Sequence, residues 1–318
     1  MLPMSIEQAR HPASPPPPRR TLSGPTMGTR YSCVYFPRRD IDETRLDRAL
    51  FEAVDQVDRQ MSTWKAHSDL NRLNAADVGT WVSIPHELEL VLASAIEIGR
   101  QSKGLFDIGV GDAVNAWGFG AAAMAPDDDL IAALPKSRPA AHDVLDLDRL
   151  QHRVLKRAAI RLDLSGIAKG FGVDELARVM DAFDIADWLV GIDGEMRARG
   201  AKPDGSPWAV AHERPTPGVR EPMGVLELTD IAIATSGTYR HFHDVEGRRV
   251  SHTMDPRSGM PLDNRTASVT VLAPTCMAAD AWATALLVAG LAPGLELARR
   301  AGVQAIFVLQ DGTIHGFQ

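Results

Sequence analysis

Cysteine is almost missing: Cys33 and Cys276 are the only two in 318 residues, far apart and without a CxxC or a Cys/His spacing. A disulfide framework and a cysteine-based zinc site are thereby excluded, and a reducing compartment is permitted. Long apolar runs are missing too. The longest, Ala278 to Leu291, is interrupted by Asp280 and is too short to span a bilayer. No basic cluster stands out, and 34 Lys and Arg against 41 Asp and Glu leave a formal charge of −7 with a pI near 5.8. That balance argues against a nucleic-acid-binding face and favours a small ligand. The first thirty residues carry no apolar stretch of the kind a secretory signal needs, so the expected location is cytoplasmic. Three catalytic signatures are also absent: GxGxxG, the Walker A pattern and the GxSxG elbow.

What is present is ordinary globular composition, with 45% apolar and 24% charged residues. A chain of about 300 residues buries roughly 75% of its unfolded surface, enough to support a deep ligand cleft. Pro12 and the run Pro15 to Pro18 favour an extended segment without backbone donors, so residues 1–20 read as a disordered tail and 21–318 as the folded unit. Thr29 to Phe36 reads as a strand. Leu46, Leu50, Val54 and Val57 recur at helical spacing within a helix over 42–61. A loop over 64–74, a helix over 85–102, a glycine-punctuated stretch over 104–120, a surface insertion over 121–139 and a hairpin over 154–164 follow. A helix over 169–183 and short strands at 188–192, 196–200, 208–211, 224–228 and 231–235 come next. The C-terminal third reads as a strand at 268–273, helices at 277–291 and 294–301, and strands at 305–309 and 313–317. Hairpin spacing among mixed elements indicates an α+β fold in place of a βαβ array.

Three constellations could carry chemistry. The turn Asp163-Leu164-Ser165-Gly166-Ile167-Ala168-Lys169-Gly170 joins a strand to a helix. Its small residues admit a ligand to the backbone, free N–H groups face outward, and Lys169 adds positive charge, a combination suited to a pyrophosphate or to a purely structural turn. Asp280 and Thr284 stand four residues apart in an apolar helix, so a carboxylate and a hydroxyl share one face. They can offer hard oxygen ligands to Mg²⁺, or serve as a dipole-complementing acid and a hydroxyl bonded to a carbonyl. In Ser251 to Gly259, His252 is a candidate base beside the turn Asp255-Pro256-Arg257-Ser258-Gly259. Trp64 and Trp117 are core candidates, and either could instead stack on an aromatic cofactor.

Taken in order, these stretches resemble the ApbE family of FAD:protein FMN transferases. The resemblance runs through Thr26-Met27-Gly28-Thr29, Met61 to Trp64 with Ser68 to Asn74, Gly104 to Asp107, Val114 to Gly120, Asp163 to Gly170, Asp193-Gly194-Glu195, Ala234 to Gly237, Ser251 to Gly259 and Ala279 to Thr284. It covers about residues 24–318. The resemblance implies a single large mixed α/β domain, related to the T-fold, with a cleft for FAD as substrate and Mg²⁺. It also implies transfer of FMN to a Thr or Ser hydroxyl of a target flavoprotein, with release of AMP. The FAD site it implies comprises Met27, Trp64, Leu105, Phe106, Asp107, Ser165, Lys169, Phe171 and Met254. The implied metal ligands are the Ala168 backbone oxygen, Asp280 and Thr284, and His252 with Asp280 are the catalytic candidates. Some relatives carry an acid at the position of Ala283, which here offers no side-chain oxygen. An Mg²⁺-dependent FAD pyrophosphatase and a flavin-binding module without turnover remain open as alternatives.

Overall fold

The computed structural model describes residues 17–121, 125–240, 242–245 and 247–316. Residues 1–16 of the expected tail lie outside these, and the first strand opens at Arg20. Strands β1 (Arg20–Thr26) and β2 (Thr29–Tyr35) pair as a hairpin with Thr26 opposite Thr29. Its two-residue turn, Met27-Gly28, has positive φ at both positions (45° and 73°), as a hairpin turn matched to strand twist requires.

Asp42 caps α1 (Glu43–Met61) by accepting from the Arg45 N–H, and the helix buries Leu46, Leu50, Val54 and Val57 as their spacing predicts. There follow α2 (Asp69–Ala75), β3 (Trp81–Ser83) and α3 (His86–Gln101). A 3₁₀ turn at Ile108–Val110 leads into α4 (Gly111–Ala116), then α5 (Asp128–Ala132) and α6 (Ala141–Val144). After β4 (Leu145–Asp148), β5 (Arg153–Lys156) and α7 (Ala168–Ala182) come β6 (Trp188–Ile192), β7 (Glu195–Arg199), β8 (Trp208–Glu213) and β9 (Pro222–Leu228). The chain then runs through β10 (Ala232–Gly237), β11 (Phe242–Val245), β12 (Arg248–Ser251) and β13 (Thr266–Ala273). It closes with α8 (Cys276–Ala289), α9 (Leu291–Ala301), β14 (Gln304–Leu309) and β15 (Ile314–Gly316).

The main sheet has eight strands in the order β1-β2-β6-β7-β10-β13-β14-β15, and every neighbouring pair is antiparallel. This is an α+β architecture, with no parallel crossover to demand a βαβ repeat. Strand β13 is buried at every residue, and α8 packs across it and β10. Helix α7 fits between α1 and α8. The core therefore brings the start of α7 and the middle of α8 together beside the sheet, which is what positions the site.

Several local readings change. The stretch 64–74 is not all loop: Ser68 accepts from the Asn71 N–H and starts α2. The partner of β5 is β4, upstream, so the hairpin lies over 145–156 and the chain from 157 to 167 is irregular. Within the stretch read as a surface insertion, Asp127 caps the short helix α5 by accepting from the Leu130 N–H. The small hairpin of β11 and β12 and the short strand β3 have too few apolar residues for periodicity to reveal them.

Candidate active site

A cavity of about 560 Å³ opens where the glycine turn before α7, the segment 105–108, the start of β7, the length of β8, the end of β10, the loop after β12 and α8 converge. Of the residues singled out from sequence, Leu105, Phe106, Asp107, Ser165, Lys169, His252, Met254, Asp280 and Thr284 line it. Ala168, Met27, Trp64 and Phe171 are not among its lining residues. Phe171 is 5% exposed and belongs to the core under the cleft. Met27 holds the β1–β2 turn against α7: a Cβ on Gly172 would come 3.0 Å from its methyl group. Trp64 is 60% exposed, which removes the core reading. Its loop is nonetheless pinned, because the Asn71 side-chain amide donates to the carbonyls of Thr63 (3.0 Å) and Lys65 (2.9 Å). Trp117 donates its indole N–H to the Gly259 carbonyl at 3.2 Å and so anchors the turn that follows His252.

The glycine turn is braced from two sides. Asn74, from α2, accepts from the Leu162 N–H at 2.7 Å and donates to the Leu162 carbonyl at 2.9 Å. Asp163 accepts from the Ser165 N–H at 2.8 Å, leaving Ser165 exposed in the cleft. Glycine is required at the contact with α8. A Cβ on Gly166 would stand 3.2 Å from Thr284 Oγ1, and one on Gly170 would stand 2.4 Å from the Cys276 carbonyl oxygen.

Asp280 is 4% exposed, and its Oδ2 accepts from the Gly170 N–H at 3.0 Å. Burial, joined by the nearby Glu195 carboxylate, pushes its pKa up to about 7 against the opposing pull of Lys169 and the Gly170 N–H. It sits in the second turn of α8, too deep to serve as a first-turn dipole partner. Thr284 shares a hydrogen bond of 3.0 Å with the Ser236 hydroxyl. The Lys169 ammonium donates to Glu195 Oε1 at 2.9 Å and lies 3.8 Å from Asp193. Burial works against its charge, but the carboxylates of Glu195, Asp280 and Asp193 outweigh burial and hold its pKa above the usual lysine value. The second oxygen of Glu195 is buried without a hydrogen-bond partner. A buried, carboxylate-rich pocket holding an unsatisfied acceptor and a hydroxyl fits a hard divalent cation, which prefers oxygen ligands.

Asp107 accepts from the Gly109 N–H at 2.7 Å and the Ala141 N–H at 3.1 Å; burial raises its pKa over these opposing bonds. It therefore fixes the cleft wall as well as lining it. His252 also lines the cleft, with its ring edge-on to Phe119 at 6.2 Å between centroids, and Met254, two residues on, is 4% exposed. Sequence reading singled out neither Arg240, which joins Glu213 at 2.9 Å at the cleft wall, nor His212, whose Nε2 lies 3.0 Å from Thr270 Oγ1. In all, six carboxylates line the cavity against three cations, Lys169, Arg220 and Arg240.

The fold and this cleft define an α+β protein with a polar, ligand-sized cavity between its main sheet, the β8–β9 hairpin and the helices α7 and α8. The chain belongs to the ApbE family, whose family model matches residues 27–307. It is 34% identical over 315 residues to the FAD:protein FMN transferase of Klebsiella pneumoniae, covering 96% of this chain and 89% of that one. Among solved structures it resembles the flavinyl transferase ApbE of Pseudomonas stutzeri in its apo form (TM-score 0.83, 31% identity, 95% and 96% of the two chains). It also resembles the flavin transferase ApbE of Vibrio cholerae (TM-score 0.83, 34% identity, 94% and 97% covered).

Proposed function

We propose that the protein is an Mg²⁺-dependent FAD:protein FMN transferase that esterifies a Thr or Ser hydroxyl of a target flavoprotein with FMN and releases AMP. The observation that carries this is the convergence on one cavity of the glycine turn before α7, the oxygen pair of Asp280 and Thr284, and His252. The relatives that bear this name match over nearly all of the chain.

Asp280, Thr284 and the Ala168 carbonyl oxygen are the residues that would hold Mg²⁺. When bound, it supplies positive charge to the phosphoryl oxygens and orients an in-line displacement. The turn before α7 would receive the pyrophosphate at the positive end of the helix dipole, while the Ala168 and Gly170 N–H groups are already taken by the Leu164 carbonyl and by Asp280. Leu105, Phe106, Asp107, Ser165, Lys169 and Met254, which line the cavity, make up the FAD site in this reading; the exposed Trp64 ring would reach the ligand from outside the cavity wall, and Met27 and Phe171 would support the site from behind it. In the reaction the acceptor hydroxyl oxygen bonds to the FMN-side phosphorus, and the bond from that phosphorus to the AMP oxygen breaks. AMP leaves with the electron pair, and the His252 imidazole takes the hydroxyl proton.

A cytoplasmic setting is part of this reading, and the two cysteines, both free and buried, permit a reducing compartment. No helix among the described residues is long and apolar enough to cross a membrane. The test is incubation of pure protein with FAD, Mg²⁺ and lysate fractions as acceptor source. A fluorescent flavin band on a denaturing gel, with AMP released in equal amount, is expected. Free FMN with AMP and no labelled protein would make the enzyme a pyrophosphatase, and unchanged FAD would leave a binding protein.

A further inference from the structure

Away from the cleft, three side chains with metal-ligating atoms meet at the surface. His86 is the first residue of α3 and Glu89 lies three positions on, so both project from one face of its first turn. His152 comes from the turn between β4 and β5, where its carbonyl accepts from the Ile84 N–H at 2.8 Å and so ties that turn to the entry of α3. One ligand atom from each of the three lies within 4.8 Å of the others. The two imidazoles stand edge to face, 5.8 Å between centroids at 87°. None of the three lines the cavity that holds Asp280.

The carboxylate is already set for ligation. Glu89 is 2% exposed, its Oε2 is hydrogen-bonded to His152 Nδ1, a bond that an ion bound between them would replace, and its Oε1 accepts from Arg149 Nε at 3.2 Å. An outer partner of this kind orients a metal-binding carboxylate without consuming the oxygen that binds. The imidazoles, by contrast, are at the surface and can adjust: the His152 side chain is 55% exposed, and His86 is exposed as well. Tetrahedral zinc with bonds of about 2.0–2.1 Å needs its ligand atoms roughly 3.3 Å apart, a modest contraction for two exposed rings around a fixed carboxylate. Pairing Glu89 with Arg149 and His152 alone would not require a second imidazole. His86 completes a set of two nitrogens and one oxygen, with the fourth position open to water.

The geometry points to His86, Glu89 and His152 as a binding site for a divalent transition cation of the zinc type. Two imidazoles with one carboxylate select zinc and its neighbours over Mg²⁺, whose preferred ligands are oxygens. The ion would clamp the start of α3 to the β4–β5 turn and stabilise the folded chain in proportion to its occupancy.

The test is a titration of metal-free, untagged full-length protein with ZnCl₂ in the absence of FAD, followed by calorimetry and by thermal unfolding. The expected result is one zinc equivalent whose affinity falls at least ~10-fold in His86→Ala and in His152→Ala, both surface substitutions, and is retained in Asp280→Asn. Zinc should raise the melting temperature of the wild type and of Asp280→Asn, and of neither histidine variant. Zinc binding that is absent from the wild type, unchanged in both histidine variants, or lost in Asp280→Asn would overturn the assignment. FAD plays no part in this titration, so its outcome leaves the transferase reading untouched.

Discussion

The backbone N–H of Gly170, in the first turn of α7, donates to Oδ2 of Asp280, in the second turn of α8, at 3.0 Å. Together with Asp174 of α7, whose carboxylate accepts from the Cys276 and Met277 N–H groups of α8, this bond ties the two helices and aims the buried Asp280 carboxylate. It exists only because Gly170 has no side chain. An added methyl would stand 2.4 Å from the Cys276 carbonyl oxygen and 2.8 Å from Asp280 Cβ. Gly170→Ala should therefore destabilise the protein by about 1–3 kcal/mol, the usual scale of overpacking. Urea unfolding checks this; a midpoint within error of the wild type would show that the helices can separate freely.

Asp280→Asn keeps an oxygen for the Gly170 N–H and removes the charge. Transfer activity should fall by about 10² or more, as when one group that stabilises transition-state charge is lost. Its dependence on Mg²⁺ concentration should flatten. Measuring activity and calorimetric Mg²⁺ binding across a metal series decides the matter, and a wild-type metal curve would refute the ligand assignment.

His252→Ala should leave FAD binding near the wild-type value, read from flavin fluorescence, while transfer drops by roughly 10²- to 10⁴-fold, the range for loss of a general base. Unchanged transfer to the acceptor would remove His252 from the chemistry.

Trp64 offers a different separation of effects. An exposed indole on a loop pinned by Asn71 contributes little to folding, so Trp64→Ala should shift stability by no more than about 0.5 kcal/mol. If the ring stacks on the flavin or adenine, FAD affinity should weaken by about 1–3 kcal/mol. Equilibrium FAD titration beside thermal unfolding measures both quantities. An unaltered FAD affinity would leave Trp64 outside the site.

His212 contributes a pH dependence opposite in sign to that of Asp280, whose raised pKa makes stability fall as pH rises. Burial lowers its pKa below the ordinary 6.5, so the folded state favours the neutral ring that meets Thr270. Below pH ~6.5 the unfolded chain binds the extra proton and the folded chain does not, so stability falls as pH drops toward the depressed folded value. The contribution is complete above pH ~6.5. His212→Gln should flatten this slope between pH 7 and 5 in urea-midpoint measurements. A parallel slope in the variant would assign the effect to other groups.

Much of this was legible in the sequence, for identifiable reasons. Helix α1 announced itself because Leu46, Leu50, Val54 and Val57 all face the core, and β6 lies where its apolar run predicts. Asp280 and Thr284 could be paired because helical spacing needs no knowledge of the rest of the fold. Short elements held by polar bonds were hidden: α2 rests on the Ser68 cap and on Asn71 and Asn74, residues that also read as loop. The partner of Lys169 was hidden as well. Glu195 lies in a different strand, and only the packing of α7 on β7 brings the two charges to 2.9 Å.

That pairing, and the excess of carboxylates around it, has a consequence for how ligands enter the cleft. With Lys169 paired to Glu195 and Arg240 paired to Glu213, an anionic dinucleotide arriving alone meets six lining carboxylates and, of the lining cations, only Arg220 beyond those two. A divalent ion arriving alone meets a pocket that welcomes it but gives it no phosphate to hold. The two ligands should thus bind with strong positive cooperativity, and thermodynamic reciprocity requires each to raise the affinity of the other by the same factor. Cells low in either one would then leave the enzyme empty of both.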